Sequence, residues 1–589
     1  MSAPPLALPP VAPVRGAPLA LRVQYPADNA LIASRDSNFV LGGIGSGDAT
    51  LSINGQPVAI AANGAFIAWL PNPPASAPSY ELLAVRGGDT VRRSLRVRYP
   101  ARRPLLASGA LIVDTASLAP GPRTMVKADE FLRVSLRAPS NATVWIQTAD
   151  GARRPMPALQ RSPSTAPSAP DADVGTVFAT DAPARMLNAA TRVVVARGTD
   201  TVRLSIAPPD IADPERRALV ALRTASIVGS DTDKVVNART IPDGTYKWLL
   251  FPGTILEATG RQGGFTRVRL DETLDVWVDN SDLTPLAEGS ARPRRVTGGF
   301  RVTPAAEWVD LSIGTGERPA FIVEPDGRTL VLTLYGTQAN PEISPIIGND
   351  TLIRRISWDQ VTSDRVRITL TLSRPVFGWL SLWDDARRAF VLRLRRPPAI
   401  DGANPLRGLT IAVDPGHPPA GATGPTGLYE GDAVLPVGML VADLLRQRGV
   451  NVVLTRTTRD AVGLTDRNVQ SRRANAHAFV SIHLNALPDG VNPFMNNGTS
   501  TLFFHQHSEP LARRVQHELM QRLGLRDLGV HYQNLAVARP SWYPAVLAEG
   551  AFLMMPEQEA AMRTPLYQRR YADGLIAGLE SYFRELARQ

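Results

Sequence analysis

The chain reads as a multidomain protein in which a series of all-β units precedes one C-terminal α/β domain. Three observations predict this. Its 589 residues exceed what one hydrophobic core usually organises. Apolar and polar residues alternate at period two in short runs as far as Arg395, the signature of half-buried strands. From Leu406 onward, apolar strands alternate with helical stretches, which indicates an α/β sheet. A hydrophobic content of 44% with 20% charged residues is ordinary globular composition and excludes a largely disordered chain.

Residues 1–18 are rich in Pro and Ala and are expected to form an extended leader without a packed core. The opening MSAPPLALPPVAPVRGAPLALRV has too many prolines and too short an apolar run to read as a secretory signal. Between 19 and 99 the runs LALRVQY, ATLSING, FIAWL and SLRVRY are separated by Gly, Asn and Pro, the pattern of an antiparallel sandwich. Asn54-Gly55 and Asn63-Gly64 suit tight hairpin turns, because both residue types tolerate positive φ. The stretch beginning NFVLGGIGSGDATLSING resembles bacterial immunoglobulin-like (Ig-like) domains. A second β-rich region spans 100–220 through LRVSLRA, ATVWIQT, TRVVVARG and TVRLSIAP. It is broken by RSPSTAPSAPDADVG at 161–175, which reads as a flexible loop.

Residues 222–287, with short strands and a late Trp277, resemble bacterial SH3-like barrels. In 294–397 the runs WVDLSIG, AFIVEPDG, TLVLTLYG, RVRITLTL and FVLRLRR predict another sandwich, similar to the AMIN-type β domains found ahead of some wall amidases. RRPPAIDGANP, ending at 405, marks a boundary, since its Pro and Gly residues cannot continue a strand ladder. The last domain, 406–589, is read as strands LTIAVD, VNVVLTR, AFVSIHLN, STLFFHQ, NLAVAR and AVLAEGAF with helices at 434–448, 508–523 and 566–587.

Composition narrows the chemistry. With no cysteine, disulfides, thiolate metal sites and cysteine nucleophiles are excluded. No apolar stretch reaches the length of a membrane-spanning helix. Basic residues outnumber acidic ones by 64 to 54, but the arginines are scattered and no basic cluster alternates with aromatics, so nucleic acid is not expected as a partner. All seven histidines lie beyond residue 416, which places the chemistry in the last domain.

There, His417 ends the first strand in VDPGH and His483 ends the strand AFVSIH, at the carboxyl edge where open α/β sheets place their sites. Glu430 stands at the mouth of the first helix, close enough in sequence to fold back over His417. Two imidazoles and a carboxylate satisfy a catalytic zinc and leave its fourth position for water. Glu549, flanked by apolar residues in AVLAEGAF, is the carboxylate best placed to accept a proton, because burial raises its pKa. Taken singly, each has a plainer reading: strand-end histidines are usually just hydrogen-bonded, Glu430 could complement a helix dipole, and Glu549 could pair with an arginine. His505 and His507 read as surface residues like His517, His531 as a residue bordering a cleft, and Arg456, Arg467 and Asn475 as groups tying helix to sheet.

The ordered set VDPGH, GLYEGDAVL, LTR, LTDRNVQSRRAN, FVSIHLNA and PAVLAEGAF resembles the zinc-dependent N-acetylmuramoyl-L-alanine amidase family over about residues 407–585. That resemblance implies one Zn2+ bound by His417, Glu430 and His483, with Glu549 as catalytic glutamate. The implied substrate is peptidoglycan, cleaved between N-acetylmuramic acid and L-alanine in wall remodelling or cell separation. A periplasmic or extracellular envelope location follows, with a regulatory envelope protein as a further candidate partner. Pro418 and Pro419 depart from the family's glycines after the first histidine, and Met555 from its usual Asn; both bear on groove shape. Two alternatives stay open: a zinc peptidase of related architecture, and a non-catalytic wall-binding protein with a degenerate amidase domain.

Overall fold

The computed structural model describes residues 6–34, 36–100, 105, 108–159, 175–213, 218–223, 235–341 and 350–589. The loop expected at 161–175 lies, apart from Gly175, outside them. Among the described residues no helix is long and apolar enough to cross a membrane.

The β-rich portion forms successive sheets, each closed over its own apolar layer. In the first sandwich the strands Arg22–Tyr25, Ser37–Gly43 and Ala65–Pro71 face a five-stranded sheet across Val40, Leu51, Phe66, Tyr80 and Leu95. In the second, Asp114–Ala119, Phe131–Ala138 and Thr176–Pro183 face a four-stranded sheet. Two short strands of the 100–220 stretch, Met125–Lys127 and Asp210–Ala212, leave this sandwich and extend a nine-stranded sheet built mostly from Leu219 to Pro285. The units are thus interlocked rather than strung like beads. The third sandwich pairs two four-stranded sheets around Val309, Leu332, Ile368, Phe390 and Leu392.

The last domain is a six-stranded mixed sheet. Its elements are β1 (Thr410–Pro415), α1 (Glu430–Gln447), β2 (Asn451–Leu454), α2 (Leu464–Arg473), β3 (Ala478–Asn485), β4 (Thr499–Phe503), α3 (Glu509–Leu523), β5 (Asp527–Tyr532), β6 (Ala545–Phe552), α4 (Pro556–Met562) and α5 (Pro565–Leu586). Strand order is β2-β1-β3-β6-β4-β5; the first four are parallel, and β4 runs against β6. The central strands are apolar on both faces because both are covered. Ile411, Val413, Val480, Ile482 and Ala548 face α1, α3 and α5, whereas Ala412, Phe479, Leu502 and Leu547 face Trp542, Tyr543 and the third sandwich. Pro565 in the first turn and the Thr564 hydroxyl, which accepts from Tyr567 N, start α5.

Two sequence expectations are corrected. NLAVAR is not a strand: Ala536–Ala538 forms a single 3₁₀ turn, and the strand lies earlier, in DLGVHY. Both segments have strand-like composition, but only the earlier one meets a free edge, that of β4, with which it pairs in parallel. The leader has neither helix nor strand from Leu6 on, yet it is not loose. Ala7 O accepts from Arg570, Leu8 packs on the last domain's core, and Val14 exchanges backbone hydrogen bonds with Ala62 and Gly47. Gly524, left-handed at the end of α3, faces Leu6 O so closely that a Cβ there would sit 1.6 Å from that oxygen.

Candidate metal centre

β1 and β3 are adjacent and parallel, so their carboxyl ends deliver His417 and His483 to the same place. Glu430, the first residue of α1, is 3% exposed and reaches between them: its Oε1 lies 3.2 Å from His417 Nε2 and 3.2 Å from His483 Nδ1. One ligand atom from each residue falls within 4.8 Å of the other two, and among the described residues this is the only such group of three. The ring planes of the two histidines are nearly perpendicular, at 78°.

The surrounding chain fixes this geometry. Pro419 O lies 3.1 Å from His417 Nδ1 and can only accept, so Nδ1 carries a proton and Nε2 is the atom turned toward Glu430. Glu430 accepts from Leu484 N through Oε1 and from Ala422 N through Oε2. Gly416 has no alternative, since a Cβ there would lie 2.4 Å from the His483 ring. His417 itself holds φ at +53°, an unfavourable conformation for a non-glycine residue. Two buried arginines hold the loop there. Arg456 donates to Pro415 O, Gly416 O and Gly431 O, and Arg467, ion-paired to fully buried Asp414, donates to His417 O and Pro418 O. These two bind the histidine loop to β1, α1 and α2, whereas Asn475 lies elsewhere, accepting from Trp542 Nε1 and donating to Glu307.

Glu549 on β6 is in register with His483 on β3, so it stands beside the cluster at the same height. Its Oε2 is sealed from solvent and unpartnered. Burial first, then the charge of Glu430, pushes its carboxyl pKa well above the usual range. Glu430 moves the other way: burial alone would raise it, but hydrogen bonds and charge from His417 and His483 hold it well below the carboxylate range. His417 is raised, because Glu430 outweighs the opposing effect of burial.

The remaining histidines are not at this centre. β4 is antiparallel to β6, so the chain leaves Phe503 at the opposite edge of the sheet. His505 and His507 there pack edge-on against Trp379 of the third sandwich, not at the surface as their sequence context predicts. His531 sits on the edge strand β5 with its Nε2 2.6 Å from Leu528 O, and His517 is exposed on α3.

Two residues passed over in the sequence also shape the centre. Glu559, fully buried, accepts from Thr426 N, Leu428 N and the Thr426 hydroxyl and so closes the turn that leads into Glu430. Tyr571 Oη reaches both Ala548 O and His483 O. Glu559 was disguised as an ordinary first-turn glutamate. The first sandwich also touches the loops flanking the centre: Asp489, six residues past His483, accepts from the Tyr25 hydroxyl, Asn38 Nδ2 and Ala33 N.

Three convergent metal-type donors and a buried carboxyl at the carboxyl edge of an α/β sheet mark the class of α/β proteins with a candidate metal centre. Comparison with known proteins narrows it. The family model described as N-acetylmuramoyl-L-alanine amidase matches residues 411–581. The uncharacterised protein YqiI of Bacillus subtilis is 33% identical over 198 residues, 33% of this chain and 93% of YqiI. The probable cell wall amidase LytH of Staphylococcus epidermidis is 31% identical, and N-acetylmuramoyl-L-alanine amidase LytC of B. subtilis 33%, each over 31% of this chain. The matched segment spans 60% of LytH and 37% of LytC. Among solved structures, the amidase AmiC2 of Nostoc punctiforme is 33% identical, with 30% of this chain and 96% of that one covered and a TM-score of 0.28. The chain belongs to the N-acetylmuramoyl-L-alanine amidase family.

Proposed function

We propose that the last domain hydrolyses the amide joining N-acetylmuramic acid to L-alanine in peptidoglycan, in the cell envelope, with Glu549 as the proton-transferring group. The observation that carries this reading is the register of Glu549 with His483, which sets an unpaired carboxyl beside three metal-type donors.

The donor set fits zinc: two imidazole nitrogens and one carboxylate oxygen, within a single ion's reach and with one histidine proton already committed to a carbonyl. Held by His417, Glu430 and His483, such an ion supplies Lewis acidity toward the scissile carbonyl and a water nucleophile at neutral pH. The protein's own part is proton transfer and positioning. The Glu549 carboxylate accepts the proton of the attacking water as oxygen bonds to the carbonyl carbon. It returns that proton to the amide nitrogen as the C–N bond breaks, leaving a lactyl carboxylate and the free amine of L-alanine. A raised pKa makes the same group an adequate base and an adequate acid. Arg456, Arg467 and Glu559 keep the histidine loop and the turn before α1 in place.

Digestion of purified peptidoglycan followed by mass spectrometry tests this. Expected products are glycan with free lactyl groups and peptides beginning with unblocked L-alanine, absent with chelator and with Glu549→Gln. Cleavage inside the stem peptide would instead mark a peptidase. Wall binding without turnover in the parent protein would mark a degenerate domain.

A further inference from the structure

A cavity of about 840 Å³ lies away from the metal centre, where the nine-stranded sheet, the third sandwich and the last domain meet. Its walls are chemically incomplete. Arg539 is held against the Tyr246 ring, 4.2 Å from its centroid, and its Nε donates to Asn534 Oδ1. Its two Nη groups have no acceptor, and no carboxylate pairs with it, among the described residues. An unpaired planar cation asks for a carboxylate. The Tyr532 ring, 62% exposed, adds an apolar wall. Burial lowers Arg539 to about 10, which leaves it charged at neutral pH.

We propose that this junction cleft binds the carboxyl-terminal end of a wall stem peptide, with Arg539 taking the terminal carboxylate. The choice of peptide rests on the amidase reading above, since that reaction releases such peptides; the cleft would hold substrate or product beside the enzyme without joining the chemistry.

Calorimetric titration of the full chain with the synthetic peptide L-Ala-γ-D-Glu-L-Lys-D-Ala tests it. Binding should be saturable, should survive both chelator and Glu549→Gln, and should weaken about tenfold or more with Arg539→Gln or with the C-terminal amide of the same peptide. The amide comparison needs no variant, so it stands even if Arg539→Gln misfolds. Equal binding of acid and amide, loss of binding with chelator, or no binding at all overturns the proposal. Muropeptide digestion separates the two readings: cleavage without titration sinks the cleft alone, and titration without cleavage sinks the amidase reading alone.

Discussion

Two pairs of histidines sit at opposite edges of one sheet and have opposite electrostatic fates. His417 and His483 share a carboxylate, and His417 is raised accordingly. His505 and His507 are wedged against Trp379 and, among the described residues, form no ion pair with a carboxylate; burial drives them down to about 4 and about 3. Residue type is the same in both places; what differs is the partner. An imidazole pair becomes a metal-type site when a third chain segment brings a charge between the rings, and becomes packing when it does not. The sequence spacing of His505 and His507, which looks more like a motif, is the misleading one.

The strongest way to break this contrast is at Glu430. Glu430→Gln should strip metal from purified protein, read by atomic absorption, and reduce muropeptide turnover to background. Equivalent metal content in the variant would mean the two edges do not differ as described. Next in size, Glu549→Gln should retain metal and fold but lose about 10²–10⁴-fold in turnover, the usual worth of acid-base catalysis.

At the other edge the effects should fall on stability. Arg395, 3% exposed, donates to Asn475 O, Ala476 O and Trp542 O and stacks on the Trp542 ring. Arg395→Leu should cost about 3 kcal/mol by orphaning those carbonyls, lowering the melting temperature while turnover per folded molecule is kept. The smallest effect expected is a pH slope. His507 has a folded pKa below its ordinary 6.5, so the unfolded chain takes up the proton first on acidification. Its contribution to stability is complete above pH 6.5 and is lost as pH falls toward 3. His507→Phe should flatten the melting temperature against pH over that range; an unchanged slope would show that His507 is not the group responsible.

That His417, Glu430 and His483 could come together was legible because two of them end strands and the third begins a helix. Glu549 was legible from a charge amid AVLA and AFLMM. DLGVHY and NLAVAR were not separable, since both have strand-like residues and the difference is which one lies along the edge of β4. Glu559 and Tyr571 were hidden for a related reason: each serves a backbone segment far away in sequence, at Thr426 and at His483.

By itself, then, the amino-acid order marked most of the last domain's strands and helices and the candidate site side chains, because periodicity, breakers and charge in apolar runs are local properties. Only the tertiary structure decided that Glu430 stands between two imidazoles, that the leader is strapped to α5, that Asp489 is clasped by the first sandwich, and that Arg539 faces an open cleft. Those are outcomes of packing between segments tens to hundreds of residues apart, where burial and the identity of the neighbour, rather than the residue's own type, set charge and accessibility.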